Sequence, residues 1–134
     1  MDNKINVSKE IHYSAQCLAY IGDAVFELHV RQMLLEKGSR PVNVLNKQAR
    51  QYVSAPAQAA MYHHIESMLT SEEQVIIRRG RNLHSYAKAK NAGTSEYRHA
   101  TGLEALFGYL FVTEQHERRV EIFELCKMCI GCTR

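Results

Sequence analysis

Leu18-Ala19-Tyr20-Ile21-Gly22-Asp23-Ala24-Val25-Phe26 has the spacing of a buried helix and two residues that a helix interior disfavours. Leu18, Ile21, Val25 and Leu28 advance by three or four positions, as one face of a helix does. Extended both ways, the repeat predicts a helix from about Tyr13 to Lys37, with Gly38 as its stop. Aspartate is a poor interior residue there, and glycine costs roughly 1 kcal/mol against alanine. The chain has only two aspartates, Asp2 and Asp23. Gly22 would let another backbone come close, and Asp23 would offer a carboxylate from a rigid apolar element. The competing reading places Asp23 on a solvated stripe with Glu27 and Arg31, paired at i, i+4.

Working outward, Ser39 to Pro41 restarts the chain as a second helix with Val44, Leu45 and Tyr52 facing inward. Ser54-Ala55-Pro56 opens a third, through Ala60, Met61 and Ile65 to Leu69. Ser71 and Gln74 have capping-box spacing, which predicts a short fourth helix from Glu72 to about Arg79, ended by Gly80. From Gly80 to Thr94 the apolar repeat vanishes, predicting a loop of a length usually kept for function. A fifth helix, about Ser95 to Thr113, is apolar at Leu103, Leu106, Phe107, Leu110 and Phe111, and a sixth runs from Glu114 to about Met128. The expectation is an all-α fold of about six main helices, with residues 1–134 forming a single domain.

Composition agrees. The 134 residues are 46% hydrophobic and 23% charged, which excludes a disordered or fibrous chain. No stretch approaches the roughly 18 apolar residues of a membrane span. The opening Met1-Asp2-Asn3-Lys4 leads into no apolar run before Glu10, which predicts a cytoplasmic protein with its cysteines as thiols. The net charge of +3 is unevenly spread: Arg78, Arg79, Arg81, Lys88, Lys90 and Arg98 face Glu96 alone within residues 78–98. Such a segment suits a polyanion, with all six basic residues as candidate contacts; a solvated loop is the plainer alternative.

Glu104 repeats the puzzle of Asp23, as one carboxylate among Ala100-Thr101-Gly102-Leu103 and Ala105-Leu106-Phe107-Gly108. If the two helices pack together their acids converge, and an oxygen-only pair facing a basic segment suits a hard divalent ion such as Mg²⁺. Cys126, Cys129 and Cys132 have successive CxxC spacings, but they lie at a helix end and read as ordinary thiols. His63, His64 and His84 form no i, i+4 metal pair and read as surface or polyanion-contact residues, while Met61 and Met68 read as core.

Residues 18–25 resemble the signature helix of the ribonuclease III family, Leu-Glu-Phe-Leu-Gly-Asp-Ala-Val. Glu104-Ala105-Leu106-Phe107-Gly108 is similar to that family's second acidic motif, Glu-Ala-Leu-Ile-Gly. The segment from Leu45-Asn46-Lys47 to Val53-Ser54 looks like the family's helix leading to a Val-Ser or Val-Asn turn. The short length, Arg78-Arg79-Gly80-Arg81-Asn82, Lys90-Asn91 and Tyr97-Arg98 narrow the resemblance to the Mini-ribonuclease III subgroup, catalytic domains with no double-stranded-RNA-binding domain. The resemblance implies an all-helical homodimer that uses Mg²⁺ to cut both strands of duplex RNA, leaving 5′-phosphates and 3′-hydroxyls, with precursor ribosomal RNA of the large subunit as substrate. It assigns Asp23 and Glu104 as catalytic and metal-binding acids, and Tyr20 to the dimer interface, against packing inside the protomer. Ala19 and Thr101 stand where larger family members have a glutamate and an aspartate. That departure leaves the number of metal ions open and motivates an alternative, a catalytically weakened module that binds duplex RNA without cutting it.

Overall fold

In the computed structural model, residues 12–83 and 95–132 are described. Among them are six α-helices and no strand: α1 (Ala15–Leu35), α2 (Val42–Val53), α3 (Ala55–Ile65), α4 (Ser71–Arg81), α5 (Ser95–Val112) and α6 (His116–Cys132), with a 3₁₀ turn at Glu66–Met68. The all-α expectation holds.

α1 starts where Ser14 accepts a hydrogen bond from the Cys17 N–H at 3.0 Å, satisfying a donor the first turn leaves free. Its buried face is Leu18, Ala19, Gly22, Val25, Phe26, Val30, Met33 and Leu34. Leu28 is 66% exposed, against expectation. At 100° per residue the stripe is centred on Gly22 and Phe26, so a repeat traced through large apolar residues alone is rotated off it. Past Gly38, whose φ is 112°, Arg40 bridges α1 and α2 by donating to the Leu34 carbonyl and the Gln48 side chain.

Pro41 precedes α2 rather than lying within it. Leu45, Ala49, Tyr52 and Val53 pack against the core, whereas Val44, expected inside, faces out. Ser54 caps α3 through the Ala57 N–H, with Pro56 in the first turn, as the sequence indicates. α3 ends at Ile65, short of Leu69; the tighter 3₁₀ turn leaves Met68 exposed and returns Leu69 to the core.

The capping box of α4 belongs to Thr70 and Glu73, one residue earlier than expected. Thr70 Oγ1 accepts from the Glu73 N–H at 3.1 Å and Glu73 Oε1 accepts from the Thr70 N–H at 3.0 Å. Gln74 is engaged elsewhere, donating to the Glu66 carbonyl. Glu73 also receives Arg118 of α6 in a paired contact of 2.8 and 2.9 Å, so one buried carboxylate caps α4 and ties it to α6. α4 runs through Gly80 to Arg81.

α5 is the central helix, packed by α1, α3, α4 and α6. Leu103, Leu106, Phe107 and Leu110 are fully buried, and Phe26 meets the Phe107 and Phe123 rings edge-on at 5.2 and 5.8 Å. Phe111, expected inside, lies at the edge with Arg119 over its ring. α1 and α5 meet backbone to backbone. A Cβ on Gly22 would lie 1.6 Å from the Glu104 carbonyl oxygen, and one on Gly108 1.9 Å from that of Leu18. Gly80 and Gly102 make a second close crossing between α4 and α5, which is why Gly80 lies inside a helix instead of ending it.

Helix propensity alone predicts that Gly108→Ala stabilises the protein by about 1 kcal/mol. The crossing predicts the opposite sign, a loss of roughly 3 kcal/mol or more, because a rigid backbone cannot yield to the added carbon. Urea unfolding of Gly108→Ala decides between them.

Candidate functional site

The crossing determines where the two isolated acids go. Asp23 follows Gly22, and Glu104 is the residue whose carbonyl Gly22 covers, so the side chains emerge at one point from two fixed helices. Glu104 is hydrogen-bonded to Asp23, and to Gln58 of α3 as well. Asp23 lies on the exposed side of the pair. Burial first, and then the charge and hydrogen bond of Asp23, push the Glu104 carboxyl up to about 8; the Gln58 hydrogen bond acts in the opposite direction. Glu104 keeps its proton here unless a cation takes its place.

The donor set fits such a cation. Carboxylate oxygens are the ligands Mg²⁺ prefers, and Mg²⁺ accepts few protein ligands because it keeps water and takes substrate phosphates. The neighbouring positions add no third acid: Ala19 offers no donor, and the Thr101 hydroxyl donates back to the Tyr97 carbonyl at 2.9 Å. Glu27 is held 3.2 Å from Arg31, as the pairing rule expects. Among the described residues no group of three His, Cys, Asp or Glu side chains could hold a metal ion.

Tyr20 is 84% exposed, which removes packing inside the protomer as its role. With Ile21, Ala24, Leu28 and Arg31 it lines a groove on α1 that also contains Asp23 and Glu27. Of the basic candidates, Arg78, Arg79 and Arg81 lie in the last turn of α4, not in a loop, where they also complement the helix dipole. Arg78 and Arg79 are exposed, while Arg81 is half-buried and donates to the Tyr62 hydroxyl at 3.3 Å. Arg98 is half-buried on α5. Lys88, Lys90 and His84, with most of the expected Gly80–Thr94 loop, fall outside the described residues.

His63 is exposed and its ring lies 4.4 Å from that of His99. Cys126 is buried, and burial pushes its thiol well up. The residue that sequence reading missed is Gln58, 3% exposed. Its signal was a long amide within Ala55-Pro56-Ala57-Gln58-Ala59-Ala60, where every neighbour is small.

The sequence model of the Ribonuclease III domain matches residues 16–115, a span that contains both acids. A Mini-ribonuclease 3 of Enterococcus faecalis is 46% identical over 118 residues, covering 87% of this chain and 89% of that protein. One of Symbiobacterium thermophilum is 48% identical over 107 residues, covering 80% and 82%. A crystal structure of a Fusobacterium nucleatum protein superposes with a TM-score of 0.73 at 32% identity, over 84% of this chain and 91% of that one. No described helix is long and apolar enough to cross a membrane.

The proton kept by Glu104 has a consequence for stability. The folded protein keeps on Glu104, up to about pH 8, a proton that the unfolded chain releases near 4.5, so stability without metal falls as pH rises between those values. His29 opposes this over part of the window. Its pKa is lowered from 6.5 to about 4, chiefly by burial and then by Arg119, so its contribution to stability grows from about pH 4 to 6.5. The net fall should therefore stand out between about pH 6.5 and 8. Unfolding measured in a chelator should show it, and Asp23→Asn, which removes the charge facing Glu104, should reduce it.

Proposed function

The chain belongs to the ribonuclease III family and is an endoribonuclease, and from that premise we propose a Mg²⁺-dependent enzyme that cuts both strands of double-stranded RNA as a homodimer. The observation that carries the proposal is the pairing of Asp23 and Glu104 on two helices locked together by glycines. In this reading the two carboxylates hold the ion, and residues 1–134 act as one catalytic domain. Bound Mg²⁺ would supply charge stabilisation at the scissile phosphate and a water acidic enough to attack it. Water adds to phosphorus and the bond to the 3′-oxygen breaks, which leaves a 5′-phosphate and a 3′-hydroxyl. Cytoplasmic precursor ribosomal RNA of the large subunit is the proposed substrate, supported by the likeness to Mini-ribonuclease 3 proteins.

Duplex RNA cannot be read through its deep, narrow major groove, so contacts should fall on phosphates and 2′-hydroxyls. Arg78 and Arg79 present charge from a rigid helix end; Arg81 and Arg98 extend the same segment, and Lys88 and Lys90 continue it in sequence. One site cuts one strand, whereas two related by a two-fold axis address both. Tyr20 and Leu28 leave an apolar face uncovered beside Asp23, where a second copy would bury it.

Two outcomes test this reading. Asp23→Asn, nearly isosteric but a weaker ligand, should lose at least 100-fold in cutting long duplex RNA while folding and binding RNA as before; cleavage by Asp23→Asn at the parental rate contradicts the assignment. A parent that binds duplex RNA and never cuts it with Mg²⁺ present would instead favour the weakened binding module suggested by Ala19 and Thr101. For the dimer, Tyr20→Glu should sediment as a monomer at concentrations where the parent is dimeric, and its duplex cleavage should fall more steeply on dilution.

A further inference from the structure

We propose that Gln58 is a positioning residue of the metal site: its side-chain amide donates to Glu104 and fixes that carboxylate in the orientation that faces Asp23. The inference rests on the metal-site reading above and names the element that completes it. α3 carries no acid at this site, yet it places one long polar side chain, almost wholly buried, against Glu104. A buried amide is costly unless it is hydrogen-bonded, and the small neighbours Ala57, Ala59 and Ala60 leave it room to reach across to α5.

Glu104 needs such a partner. Its carboxylate ends a flexible side chain, and a ligand set of only two acids gains most when neither has to be ordered on binding. Asp23 is the other half of the pair. Among the described residues, Gln58 is the neutral side chain that meets the Glu104 carboxyl, and it approaches from a third helix that itself packs on α5.

The test compares the parent with Gln58→Met, which keeps length and volume but loses the amide, and with Gln58→Asn, which keeps the amide but withdraws it by one carbon. Mn²⁺ binding is measured by electron paramagnetic resonance, and duplex cleavage is followed across Mg²⁺ concentrations. Both variants should bind Mn²⁺ about tenfold more weakly, with a metal-free melting temperature and duplex affinity close to the parent's. Raising Mg²⁺ should restore their cleavage but not that of Asp23→Asn. Parental Mn²⁺ affinity in folded Gln58→Met overturns the positioning role and leaves the metal site standing. A parent that binds no Mn²⁺, or an Asp23→Asn variant that still binds it as the parent does, overturns the metal site itself. If Gln58→Met fails to fold, Gln58→Asn decides alone: weaker Mn²⁺ binding with a parental melting temperature supports the role, and unchanged binding removes it.

Discussion

The contact between the backbones of α1 and α5 governs the rest of the molecule. Gly22 lies over the Glu104 carbonyl and Gly108 over that of Leu18, four residues from each other's partner, so the two helices are joined by a reciprocal pair of contacts that admit no side chain. Close helix crossings of this kind bring Cα–H groups against carbonyl oxygens and leave little freedom to slide. A shift of one residue along either helix would drive a side chain into the opposing backbone. The register of α1 on α5 is thereby determined, and with it the place where Asp23 and Glu104 meet.

That placement works against the fold in the absence of a counter-charge. At this partly buried point, beside Asp23, the Glu104 carboxyl holds a proton well above the usual carboxylate range, the mark of a group arranged for something other than stability. The buried acid elsewhere is handled differently. Glu73 meets Arg118 and the Thr70 N–H, and those partners hold its carboxyl below the usual range despite burial. The same residue type serves as a structural tie where a cationic side chain is built in, and as a ligand candidate where none is supplied.

Much of this was legible in the sequence because it depended on exceptions to a strong pattern. An aspartate and a glycine inside an apolar helix, and a lone glutamate four residues before a second glycine, marked both halves of the crossing. The order of the helices after the first followed from Ser54 and the two prolines, which act locally. Boundaries and facing failed where glycine behaved as a buried residue: Gly22 rotated the true face of α1 away from Leu28, and Gly80 continued a helix that glycine usually ends. The Thr70–Glu73 cap was displaced from Ser71–Gln74 because Arg118, 45 residues away, fixes Glu73. Gln58 was passed over for the same reason, since its meaning lies in a contact with another helix.

The central claim is that Asp23 and Glu104 together form one cation site at the α1–α5 crossing. Anomalous diffraction from crystals of the protein soaked in Mn²⁺ tests it directly. The account predicts a peak at coordination distance from a carboxylate oxygen of each residue, with Gln58 still hydrogen-bonded to Glu104. Mn²⁺ bound elsewhere on the chain, with the two carboxylates turned apart, would contradict it.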